Sequence, residues 1–139
     1  MPIFYRDGYK YQLVEDYEYQ LDHNWPDVQH DWDTDFFYLS VNKLLLVKKN
    51  YAWDGASGPT IDTKNFMRGS LVHDCLYQMI REGYLDKNDC RILADKTLYA
   101  ICRKDGMSWI RANVVYYSVR VFGNPSARLT GERPLRTAP

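Results

Sequence analysis

The spacing of apolar positions divides the chain into two unlike halves. Up to about residue 50 the apolar positions come in short runs. Tyr9 to Tyr19 alternates and is rich in Tyr and Val, which predicts a half-buried strand or a hairpin. Phe36 to Val41 and Lys43 to Lys49 flank Asn42 and predict a second hairpin or two successive strands. Between these regions, Leu21 to Thr34 contains Asn24-Trp25-Pro26-Asp27 and reads as a loop. A Gly- and Pro-marked loop, Tyr51 to Pro59, follows.

After Asp62 the apolar period becomes that of a helix. Asp62 or Thr63 caps a predicted helix from Lys64 to Glu82, with Gly83 as its stop. Asp86 or Asp89 starts a second, ending near Lys104 before Asp105-Gly106. Ser108 caps a third, from Trp109 to Phe122, stopped by Gly123. The segment Asn124 to Pro139 has no apolar period and is expected to be extended. The predicted fold is α+β over a single domain, residues 1–139. A β-rich part (1–50) of antiparallel hairpins precedes a Gly-rich loop and three helices (51–123), the first two antiparallel.

Composition refines this picture. With 139 residues there is room for one core. Lys and Arg total 18 and Asp and Glu total 18, a balance that argues against a nucleic-acid coat protein. The charges are nevertheless segregated. Tyr11 to Asn42 holds eight acids and no Lys or Arg, whereas Ile101 onward holds seven basic residues and two acids. Twelve Tyr, five Phe and four Trp are assigned first to core and cross-strand packing. Their alternative use is a contact surface for a lipid, peptide or protein. Cys75, Cys90 and Cys102 show no CxxC spacing, so neither a zinc site nor a full set of disulfides is expected. The N-terminal residues lack the pattern of a secretory leader, which gives the expectation of a protein in the host cytoplasm, with virion association as a further option.

Candidate chemistry lies on the helices. The predicted first helix carries His73-Asp74-Cys75-Leu76-Tyr77 and the second carries Ala94-Asp95. If the two fold back about Tyr84, His73 and Asp95 lie at matched heights. A carboxylate there can orient one imidazole nitrogen and leave the other as a base. Gly69 and Ser70 precede His73 by one turn and leave space for a ligand or for close approach of another element. Asp74 points about 100° further round and can face a loop. The loop Trp53-Asp54-Gly55-Ala56-Ser57-Gly58 is the available partner, and a carboxylate with backbone oxygens suits calcium.

His73-Asp74-x-x-Tyr77 resembles the His-Asp-x-x-Tyr signature of the phospholipase A2 superfamily. The resemblance implies that His73 is a general base, Asp74 a calcium ligand, and Asp95 and Tyr77 partners of the base. It further implies backbone calcium ligands near Trp53, Gly55 and Ser57. The disulfide positions beside that site correspond to Leu76 and Ala94, implying an apolar contact instead. The calcium loop lacks its cysteines, and its spacing to the His is a few residues longer than usual.

A longer resemblance is to the phage and prophage family known as domain of unknown function 1353. It rests on the loop Tyr51 to Pro59, on His73 to Tyr77, on Ala94-Asp95 and on the run Tyr117 to Gly123. With the strand that precedes the loop, these cover roughly residues 35 to 124.

Three functions follow as expectations. One is a calcium-dependent, phospholipase A2-like hydrolase acting on a phospholipid ester at a membrane surface. Another is a non-enzymatic phage structural or host-interaction protein with a phage or host protein partner. The third is a metal phosphohydrolase using His23 or His30 with His73, Asp74 and Asp95, which the strand-rich first half disfavours. Asp31-Trp-Asp33-Thr-Asp35 begins like a helix–loop–helix calcium loop, but Phe36 and Asn42 occupy its obligatory Gly and Glu positions.

Overall fold

The computed structural model describes residues 3–6, 11–54 and 63–122. Strands β1 (Tyr5–Arg6), β2 (Tyr11–Leu13), β3 (Tyr17–Gln20), β4 (Trp32–Asp33), β5 (Phe37–Leu39), β6 (Leu44–Val47) and β7 (Ala52–Trp53) come first in the chain. Helices α1 (Lys64–Arg81), α2 (Lys87–Lys104) and α3 (Trp109–Phe122) follow. The strands form two antiparallel sheets, β1-β2-β7 and β3-β6-β5-β4. The architecture is α+β, with antiparallel sheets ahead of three packed helices.

The run from Tyr9 to Tyr19 is not one strand or one hairpin where it is described. It breaks at Val14–Asp16, and β2 and β3 enter different sheets. The segment after β6 holds the break in place. The Leu13 backbone exchanges hydrogen bonds with Tyr51 and Asn50 at 2.8 and 2.7 Å, and the Asp16 carboxylate accepts the Lys49 N–H at 2.7 Å. The second expected hairpin is present as β5–β6, with Leu39 opposite Leu45 and Phe37 opposite Val47. The Leu21–Thr34 segment is mostly loop but carries β4. Asp31 fixes its approach by accepting from Tyr38 Oη and from the Val41 N–H, at 2.5 and 2.8 Å.

The helix boundaries follow local chemistry. Asp86 caps α2 by accepting the Asp89 N–H at 3.1 Å, and Ser108 accepts the Arg111 N–H at 3.2 Å at the start of α3. Gly83 and Gly106 take φ of +87° and +98° just beyond α1 and α2, a conformation that favours glycine. Thr63 precedes α1, but its hydroxyl is engaged with Asn65 and Arg111 instead of capping the helix. Asp62 lies outside the described residues, as do Gly123 and the segment 124–139.

Helix α1 is buried on almost every side. Leu71, Val72, Leu76 and Ile80 share one core with Leu13, Phe37, Leu45 and Trp53 of the sheets and with Ala94 of α2. A second cluster, Phe66, Leu98, Cys102, Met107, Ala112 and Val115, joins all three helices. Burying chains of this size contributes about 1.5–3 kcal/mol each, so the non-polar faces of the strands and α1 are a main source of stability. Gly69 allows the close helix contact, because a Cβ there would lie 2.9 Å from Leu98 Cδ1 and 3.0 Å from Cys102 Sγ. Arg68 ties the layers together. It forms a two-pronged pair with Asp105 beyond α2, at 2.9 and 3.0 Å, and donates to Tyr17 Oη of β3 at 2.8 Å.

Among the aromatic side chains ahead of the helices, Tyr17, Trp25, Phe37, Tyr51 and Trp53 are buried in the core. Exposed large apolar residues concentrate on α3, at Trp109, Ile110, Val114, Tyr117 and Val121. Among the described residues, no helix is long and apolar enough to cross a membrane.

Candidate functional site

The turn at Gly83 brings α2 back along α1, and this places Asp95 against His73. His73 Nε2 lies 2.7 Å from Asp95 Oδ1. Tyr77, one turn along α1, donates its hydroxyl to the same oxygen at 2.5 Å. The His73 and Tyr77 rings also pack together, with centroids 4.1 Å apart. Asp95 is fully buried, and its other oxygen accepts a hydrogen bond from Arg120 Nη1 at 2.8 Å. All three helices therefore converge on one carboxylate.

These contacts set the charges. Burial alone would raise the Asp95 pKa, but hydrogen bonds from His73, Tyr77 and Arg120 outweigh it and hold the group below its ordinary value. Burial alone would lower the His73 pKa, but the carboxylates of Asp74 and Asp95 outweigh that and hold it above its ordinary value. Burial and the adjacent Asp95 charge push the Tyr77 phenol upward, so it stays a donor at neutral pH. An ionised carboxylate can only accept, so it fixes the proton of neutral His73 on Nε2 and leaves Nδ1 with a free lone pair. His73 is 6% exposed, so access to Nδ1 is narrow.

Asp74 lies on the side of Nδ1. Its Oδ1 is 4.0 Å from that nitrogen, too far for a direct hydrogen bond, and its side chain is one-third exposed, 33%. Its carboxylate takes a hydrogen bond from the Asp54 backbone, which places it against the start of the 53–58 loop. Burial, reinforced by the Asp54 charge, leaves the Asp74 pKa above its ordinary value. Asp74 is thus a partly desolvated carboxylate with a second acid, Asp54, nearby. Among the described residues no cluster of three or more His, Cys, Asp or Glu is arranged to hold a metal. Further oxygens would have to come from the backbone or from the loop itself. Gly55 and Ser57, expected as ligands, lie outside the described residues.

Trp53 is placed by its side chain. Its indole N–H donates to Ser70 Oγ at 2.9 Å, and its backbone belongs to β7, opposite Tyr11. The room beside Gly69 and Ser70 is therefore taken by the protein, by Leu98 and Cys102 in one case and by Trp53 in the other. Leu76 and Ala94 are both fully buried in the main core, where the resemblance implied an apolar contact. His23 and His30 are exposed in the loop before β4, where His30 packs on Trp32.

Arg120 and Asp54 were not singled out as site residues by the sequence reading. Arg120 was visible only as part of the Tyr117–Gly123 run, and Asp54 only as part of the loop. Comparison of the chain with protein-family models, curated proteins and solved structures gives no match.

Proposed function

We propose that this protein is a phospholipase A2-like hydrolase of phospholipid esters, related to the phage family named above, with His73 as its general base. One observation carries the reading. His73 Nε2 is fixed by a buried carboxylate of α2 that takes its donors from α1 and α3, while Nδ1 faces the Asp74 side. A surface histidine needs no such support, whereas a base that must hold its lone pair toward a water does.

In this mechanism His73 Nδ1 takes a proton from water as the oxygen attacks the ester carbonyl. Asp95 stabilises the imidazolium that forms, and Tyr77 keeps the carboxylate oxygen aimed at Nε2. His73 then returns the proton to the departing alkoxide. Asp74, with backbone oxygens of the Trp53–Gly58 loop, would hold calcium. Bound there, calcium would supply positive charge for the phosphate and the developing oxyanion. The active protein would work at the phospholipid surface of a membrane.

The test is fatty-acid release from mixed phospholipid vesicles, with calcium or with EGTA. Wild type should turn over only with calcium, and His73→Gln should lose at least about a hundredfold in kcat while keeping its circular dichroism. Equal turnover by wild type and His73→Gln refutes the base. Activity unchanged by EGTA refutes the calcium role.

A second reading has its own observation. The row Ile110, Val114, Tyr117 and Val121, with Trp109 beside it, is exposed along one face of α3. Such a face suits a non-enzymatic phage structural or host-interaction protein that keeps the His73–Asp95 pair for packing. Absence of turnover on any phospholipid, together with co-sedimentation with phage particles, would favour that reading.

A further inference from the structure

We propose that Arg120 is a positioning residue for His73, acting through Asp95. This rests on the reading of His73 as the base, and it gives a role to the Tyr117–Gly123 run, which the proposed mechanism leaves unused.

The two oxygens of Asp95 are divided between helices. Oδ1 serves His73 and Tyr77 of α1, and Oδ2 serves Arg120 of α3. A carboxylate gripped at one oxygen can still turn about its Cβ–Cγ bond, whereas one gripped at both has its plane fixed. With Asp95 fully buried, no solvent is at hand to take over at Oδ2. Arg120 thus decides whether Oδ1 stays in line with His73 Nε2, and so whether the ring keeps Nδ1 pointed outward.

Arg120 is itself anchored. Arg91 stands one turn before Asp95 on α2, and its Nη2 donates to the carbonyls of Val119 and Arg120 at 3.1 and 2.7 Å. These belong to the last four carbonyls of α3, which have no partner within the helix, and a cation is favoured at that end. One guanidinium pins the end of α3 to α2, and the other reaches from that end to Asp95. The Arg120 side chain is 30% exposed, so it lies at the edge of the core with its Nη1 turned in to the fully buried Asp95.

The imidazole N–H offers a readout that does not depend on turnover. Proton NMR of wild type should show a downfield, slowly exchanging His73 Nε2–H, assigned by its absence in His73→Gln. In Arg120→Met this signal should broaden or be lost, and Arg120→Lys, which keeps a cationic donor, should restore it. Arg103→Met removes a different helix-end contact, to the Met107 carbonyl, and should leave the signal in place. If the Met variant does not fold, Arg120→Gln replaces it with the same expected loss, because its amide ends two bonds short of the guanidinium nitrogens.

In the vesicle assay the folded Met or Gln variant should lose about tenfold in kcat at unchanged KM, with recovery in Arg120→Lys. An unchanged Nε2–H signal in the folded Met or Gln variant overturns the proposal. So does a signal lost equally in Arg103→Met. A wild type that releases no fatty acid would refute the hydrolase reading, and the NMR result would still decide the role of Arg120.

Discussion

Replacing Asp95 by Asn should destabilise the protein by about 3 kcal/mol. A carboxylate accepts three hydrogen bonds here, from His73, Tyr77 and Arg120. An amide of the same shape has one oxygen and one N–H₂ group. If its oxygen faces His73 and Tyr77, its N–H₂ meets the guanidinium of Arg120, donor against donor. If it flips, it loses Tyr77 or forces the other tautomer on His73. Hydrogen bonds to a charged group contribute about 1.5–3 kcal/mol each and neutral ones about 1.

Weakening two contacts therefore costs about 1 kcal/mol apiece. Losing the Arg120 contact adds only about 1 more, because its side chain is 30% exposed and can return to water. For a chain of 139 residues, 3 kcal/mol corresponds to a fall in Tm of about 10 °C. Urea unfolding gives the free energy directly, with exposed Asp89→Asn on the same helix as a control expected to change by less than about 1 kcal/mol.

The pH dependence supplies a sign. Asp95 has a folded pKa below its ordinary 3.8, so its contribution is whole above 3.8 and is lost as pH falls through the lower folded value. The gap between wild type and Asp95→Asn should close in that acid range. An Asn variant within 0.5 kcal/mol of wild type at pH 7, well inside the magnitude estimated above, would refute this account of the buried network.

Two further outcomes test the packing. Gly69→Ala should destabilise by about 1–2 kcal/mol, since a Cβ 2.9 Å from Leu98 Cδ1 outweighs the better helix propensity of Ala; a stabilised variant in urea unfolding would mean that α2 does not approach so closely. Burial pushes the Cys90 thiol up to about 11 and the Cys102 thiol to about 12, so alkylation by iodoacetamide at pH 8 should accelerate at least about a hundredfold on unfolding, and fast labelling of the native protein would contradict their placement.

The helical half was legible because its signals are local. Asp86, Ser108, Gly83 and Gly106 each act within a turn of their own position, so caps and stops could be read from neighbours alone. The pairing of His73 with Asp95 needed only one added assumption, a tight antiparallel return about Tyr84. The β half depends on partners far along the chain. Nothing near Leu13 announces that it pairs with Tyr51, or that Asp16 will take the Lys49 N–H, so the local pattern predicts a strand or a hairpin where β2 and β3 part into different sheets. Arg120 was illegible as a site residue for the same reason. Its partner is 25 positions away, on a helix whose angle to α3 no local pattern fixes.

The burial of α1 also bears on how the molecule breathes. His73, Asp74 and Tyr77 stand on the helix that both core clusters enclose, not on a rim that can fray. Amide exchange along the middle of α1 should therefore require opening of the whole fold, while α3, with its open outer face, can loosen in smaller events. Of the three helices that hold Asp95, one can part from it without global unfolding, and the contact that would break first is the one made by Arg120.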